Sequence, residues 1–169
     1  MVPESSPSDR LTAHQLMNSI YIKARIFHDY LKAEEVQHTL GFFPGNYLNI
    51  SGKQCIQEYP IPVCSFEDGG DIGFNLDGIF FEFFLEKSDL LKANLGHFFN
   101  SDCRVEVYGA EICTDDFLFV DEGEEPFRNR LIASGERHFG IAFYFDKQME
   151  PEELYKTFIG KGKILGLKG

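Results

Sequence analysis

Five histidines, at positions 14, 28, 38, 97 and 138, are the first residues to weigh, because imidazole changes charge nearest neutral pH and ligates metals readily. No two of them stand four residues apart, so the helical His pair of many zinc hydrolases is missing. A histidine site has to be assembled across space. His138 opens an alternating strand and can face Glu106 or Glu111 from a neighbouring strand, an acid–imidazole pair suited to proton transfer. No nucleophile accompanies it. The Gly-x-Ser-x-Gly elbow is absent, and Ser134 stands in Ala-Ser-Gly-Glu, the wrong context for a strand-to-helix nucleophile. A solvent-facing histidine at a strand end is the plainer reading.

Among the carboxylates, Glu82 stands out because phenylalanines surround it in Phe80-Phe81-Glu82-Phe83-Phe84. A carboxyl buried there without a cation binds its proton more tightly, which marks functional sites. Glu82, Tyr108, Arg128 and His138 are the polar residues of one candidate site, an aromatic pocket between the sheet and the first helix. A second candidate is the stretch from Glu106 to Glu125, which carries no Lys or Arg. Its Glu111, Asp115, Asp116, Asp121 and Glu122, interleaved with Phe117 and Phe119, suit a basic protein partner. The competing reading is a solvated loop whose charges keep a sheet edge from aggregating.

Other motifs fail on spacing. Cys55, Cys64, Cys103 and Cys113 contain no Cys-x-x-Cys pair, which leaves a zinc knuckle without support. Only Cys103 has a cation beside it in sequence, Arg104, and buried reduced thiols are expected. Asp68-Gly69-Gly70-Asp71 offers too few oxygen ligands for calcium and reads as a turn. Gly160-Lys161-Gly162-Lys163 lacks the four-residue gap and following helix of a phosphate loop, and reads as a frayed basic tail. No metal or cofactor is expected.

A formal charge of −11 argues against a nucleic-acid backbone as partner, since that contact needs Lys and Arg to displace counterions. The chain has 18 Phe and 7 Tyr but no Trp, more apolar ring surface than a single-faced sheet needs, which makes a homodimer one reading. No segment approaches eighteen uninterrupted apolar residues, so no membrane partner is expected. Residues 1–9 lack the basic and apolar regions of a secretory signal, and the expected location is cytoplasmic.

The elements that must hold these residues follow from periodicity. Thr12 and Gln15 form a capping-box signature, and Leu16, Ile20, Ala24, Phe27 and Leu31 make one apolar helical stripe. Ile22, Ile26 and Tyr30 begin a second, so both sides of this helix are expected to be covered. The helix is read to about Leu40, with a break near Ala33 as the alternative. Residues 42–51 read as a loop with a short extended piece, and residues 54–66, which hold Pro60 and Pro62, as a peripheral strand or linker. Ile72 to Leu76, Asp77-Gly78 and Ile79 to Leu85 read as a hairpin with rings on both faces. A helix capped by Ser88, strands at 104–113, 117–120 and 127–133, a central strand at 138–145 and a helix opened by Pro151 complete the order.

Strands joined this tightly leave no room for crossovers. They predict an α+β fold, an antiparallel or mixed sheet flanked by about three helices, as a single layered domain over residues 9–160. Residues 1–8 are expected to be a flexible leader and 161–169 a loose tail. At 169 residues such a domain buries roughly 70% of its unfolded surface in one core. The leading expectation for function is a non-catalytic, acidic protein-interaction module with a basic protein partner. The rival is a small enzyme or ligand-binding protein with the aromatic pocket.

Overall fold

In the computed structural model, residues 7–44, 48–50, 53–55, 60–67, 69–75, 78–93, 96, 103–109, 117–118 and 123–166 are described. Helix α1 is Pro7–Ala33, so it opens before Thr12 and closes well before Leu40. Proline is tolerated in a first turn because its missing N–H has no intrahelical acceptor there. Its end is set by Glu35, whose φ of 58° is left-handed, while the Val36 N–H returns to the Leu31 carbonyl at 2.9 Å. This six-to-one bond closes a Schellman cap. The chain thereby reverses directly into strand β1, His38–Pro44, where the end of the helix and the start of a loop were expected.

Strands β2 (Leu48–Ile50) and β3 (Lys53–Cys55) make a small separate ladder, and β4 is Pro60–Phe66. The hairpin follows as β5 (Gly70–Asn75) and β6 (Gly78–Glu86), in register from Gly70 opposite Phe83 to Asn75 opposite Gly78. Helix α2 is Lys87–Lys92, capped at Glu86 rather than Ser88. Next come β7 (Arg104–Gly109) and β8 (Phe117–Leu118). Helix α3, Glu124–Ala133, occupies what reads as a weak strand. Glu124, Glu125 and Pro126 supply its acidic first turn, and Phe127 and Leu131, one turn apart, supply its buried face. Strand β9 (His138–Phe145) and helix α4 (Pro151–Ile164) complete the order, α4 running through the Gly-Lys stretch expected to be loose.

The main sheet is seven-stranded and antiparallel in the order β1-β4-β5-β6-β9-β7-β8. The α+β class therefore holds, with four described helices rather than three. Strand β4 is internal, paired to β1 and β5, not peripheral. Register assigns every strand residue to a face. Cys64, Ile72, Phe74, Ile79, Phe81, Phe83, Leu85, Val107, Phe139, Ile141, Phe143 and Phe145 share one face and one buried cluster. Ile20, Ala24, Phe27 and Leu31 of α1, Leu90 of α2, Phe127 and Leu131 of α3, and Leu154 and Phe158 of α4 join that same cluster. All four helices thus serve a single face. Phe158 is the keystone, its ring centroid 4.8 Å from Phe66, 5.4 Å from Phe81 and 5.1 Å from Phe83.

The expectation that both sides of α1 and of the hairpin are covered does not hold among the described residues. Ile22 and Ile26 are 59% and 54% exposed, and Phe84, on the far face of β6, is 48% exposed. Cys64 is fully buried, which pushes its thiol up to about 12, in keeping with an inert structural cysteine. No described helix is long and apolar enough to cross a membrane.

Candidate binding face

The second face of the sheet receives no described helix, and three rows of residues run across it. Gly73, Phe80, Tyr144 and Arg104 form one row, Asp71, Glu82, Ala142 and Glu106 the next, and Phe84, Gly140 and Tyr108 a third. Cross-strand neighbours are about 4.8 Å apart, so the middle row sets Asp71 beside Glu82 and leaves Ala142 as a gap before Glu106. The small residues are what let the rings lie down. A Cβ on Gly140 would overlap the Tyr108 ring, and one on Gly73 would overlap the Phe80 ring. Two aromatic planes therefore rest on bare backbone, framing the carboxylates.

Polar contacts tie the face together. The Tyr108 phenol donates to Glu82 Oε1 at 2.5 Å, across the intervening strand β9. The Ser65 hydroxyl donates to Asp71, and the Tyr144 phenol to Glu106. The Arg104 guanidinium lies 4.4 Å above the Tyr144 ring, with its Nε 3.8 Å from Glu106. Burial raises the proton affinity of both Asp71 and Glu82; the Ser65 and Tyr108 hydrogen bonds oppose it, and the Asp71 charge adds to it at Glu82. Burial, then the Glu82 carboxylate, raises Tyr108 far above a phenol's usual range, while burial and Glu106 push Tyr144 up to about 12. Both phenols thus stay protonated as donors. Among the described residues neither Asp71 nor Glu82 has a cationic partner. A half-desolvated carboxylate without a cation is balanced by hydrogen-bond donors, by a proton or by a cation from outside.

Of the four residues proposed from sequence for one pocket, the structure unites two. Glu82 and Tyr108 meet, but on the face opposite α1, not between the sheet and α1. His138 pairs with Glu86 at 3.6 Å, not with Glu106, which lies opposite Ala142 four positions along β9. Arg128 is elsewhere, donating to the Leu91 carbonyl at 3.0 Å and lying 3.7 Å from Glu124. The groove that does exist between α1 and the sheet, about 540 Å³, is lined by Tyr21, Ile22, Arg25, Leu40, Phe42 and Pro62 and holds none of the four. Glu111, Asp115, Asp116, Asp121 and Glu122 lie outside the described residues. Sequence reasoning missed Asp71, read there as turn chemistry. It also missed Tyr144, for which alternation in β9 supplied the face but not the neighbours, and Ser65, which lay in a segment read as a peripheral strand or linker. Among the described residues no cluster of three or more ligating side chains could hold a metal ion.

By fold this is an α+β protein whose second sheet face is acidic and aromatic and, among the described residues, carries no helix. The sequence matches no known protein family and no curated protein. A conserved hypothetical protein from Pyrococcus furiosus, Pfu-178653-001, has a similar structure, with a TM-score of 0.65 at 24% identity, covering 93% of this chain and 98% of that one. At that identity the likeness shows the fold alone.

Proposed function

We propose that this protein is a non-catalytic binding module that takes a basic polypeptide segment on the open sheet face. Arginine or lysine side chains of the partner sit between Asp71 and Glu82, against the rings of Phe80 and Tyr108. The observation that carries this reading is Arg104, whose guanidinium is already held on the same face by an aromatic plane and a carboxylate. The Asp71–Glu82 position offers the same two components without a cation of its own. Glu111, Asp115, Asp116, Asp121 and Glu122 belong to this proposal by sequence alone, since residues 110–116 lie between β7 and β8 and residues 119–123 between β8 and α3. A net charge of −11 adds long-range attraction for a basic partner.

The test is calorimetric titration with an arginine-rich peptide against wild type, the D71N/E82Q pair and a variant neutralised at Asp115, Asp116, Asp121 and Glu122. The reading expects about tenfold or greater weakening in D71N/E82Q, in line with losing a charge-assisted contact. Unchanged affinity in both variants overturns it. A second reading, a small-molecule or catalytic site, draws on the Tyr108–Glu82 hydrogen bond, which couples a phenol donor to a carboxyl of raised proton affinity. An ordinary Glu82 titration by NMR would remove that reading.

A further inference from the structure

Where α1 turns into β1, two histidines ten residues apart face each other, His28 Nδ1 lying 2.7 Å from His38 Nε2. Their rings meet edge to face, with centroids 4.8 Å apart. The tautomers follow from the surroundings. His38 Nδ1 lies 2.8 Å from the Val36 carbonyl, which only accepts, so that nitrogen carries a hydrogen. In the neutral ring His38 Nε2 is then a bare acceptor, and His28 Nδ1–H is the donor. His28 Nε2 is left with its lone pair.

This arrangement has room for one proton but not for two. A first proton on His28 Nε2 leaves the bond between the rings in place. A second has only His38 Nε2 to go to, and there it removes the acceptor and sets two like charges a ring's width apart. We propose that the His28–His38 pair is a proton-operated latch, holding the end of α1 on the edge strand β1 and letting go once both rings are charged. Among the described residues β1 pairs only with β4 in the main sheet, and α1 meets it face-on through His28–His38 and Tyr21–Phe42. The same seam continues into the groove beside Tyr21 and Phe42, whose rings touch edge to face at 5.7 Å. Release of the latch widens that groove.

The charges around the pair raise the cost of charging it. Along α1, Arg25, Asp29 and Lys32 act on His28. Across the seam, β1 presents His38, β4 presents the ring of Phe66, backed by Tyr155 of α4, and just past the end of β4 Glu67 lines the depression beside His38. Burial, His38, Lys32 and Arg25 hold His28 below its usual 6.5, with Asp29 opposing. A base whose folded pKa is depressed makes the folded state bind fewer protons than the unfolded chain. The stability it contributes is full above 6.5 and is lost as pH falls below it. A shallow depression of about 350 Å³ beside His38 gives water access to the ring.

The test is hydrogen exchange of the amides in residues 24–33 and 38–44 at about pH 7.5 and about pH 5, corrected for intrinsic rates, in wild type and in H28L/H38L. The latch expects wild-type protection there to fall about tenfold at the lower pH, as for a coupling worth one pKa unit, and the double variant to show no such fall. Equal wild-type protection at both values, or the same fall in the variant, overturns it. If the variant does not fold, nitrogen-15 shifts of the wild-type rings decide. Two coupled steps support the latch, and two independent steps overturn it.

Discussion

Tyr108 reaches Glu82 over the top of a strand. The phenol sits on β7, the carboxyl on β6, and β9 runs between them, yet the oxygens are 2.5 Å apart. Such a span is open only where the intervening strand carries almost no side chain, and Gly140 and Ala142 meet that condition. The polar face is therefore built by what β9 lacks as much as by what its neighbours carry.

Gly140→Ala accordingly displaces Tyr108 from Glu82. The added methyl overlaps the ring, which has to swing off the sheet. The expected loss is about 1–3 kcal/mol, the range for overpacking, read as a lower denaturation midpoint. Tyrosine ultraviolet difference spectra should show Tyr108 moving into solvent; an unshifted midpoint and spectrum would refute the arrangement.

Glu82→Gln alters how stability depends on pH. Glu82 binds its proton more tightly in the folded chain than the usual 4.5. Its contribution to stability is therefore full below 4.5 and lost as pH rises through the folded value. Glutamine stays neutral and still accepts from Tyr108. The variant should gain on wild type steadily as pH rises from acid to neutral, measured by thermal melts across that range. A constant gap between the two curves contradicts the burial argument.

Phe158→Ala tests the layered core. The ring is 5% exposed and stacks within about 15° of the Phe83 plane. Its loss leaves a cavity between α4 and the sheet and costs about 3–5 kcal/mol. A urea titration gives the value, and a loss under about 1 kcal/mol would mean the site collapses freely.

Glu35→Gly should stabilise. The left-handed φ of 58° burdens a residue with a Cβ, and glycine removes that strain at some cost in unfolded-chain entropy. The net gain expected is about 0.5–1 kcal/mol. Glu35→Ala, which keeps the Cβ, is the control and should show no comparable gain.

Much of the fold was legible before any coordinates. The hairpin, the central strand at 138–145 and the final helix rest on alternation, a turn dipeptide and Pro151, all local signals. Helix α3 was hidden because Phe127 to Ala133 is β-leaning when read without the acidic turn before it. The helix α1 ends at Ala33, the alternative reading, rather than near Leu40, because its C-cap uses Glu35 where glycine is the usual signal. The candidate face was half legible. Glu82 and Tyr108 stood out by composition, but their meeting depends on β9 entering between β6 and β7, which no local pattern announces. The His28–His38 contact is similarly non-local, made by a reversal of the chain rather than by spacing along one element.

The insertion of β9 also bears on the order in which the chain acquires structure during synthesis. Strands β4, β5 and β6 pair with neighbours already made, whereas β7 waits with only the two-residue β8 beside it until residues 138–145 emerge. Until then the nascent chain exposes two unpaired strand edges, those of β6 and β7, and the carboxylates they carry are not yet brought together. Non-local closure of this kind is slow relative to helix and hairpin formation. Acidic residues near an unpaired edge disfavour its pairing with another chain, and residues 106–125 carry eight acids and no Lys or Arg.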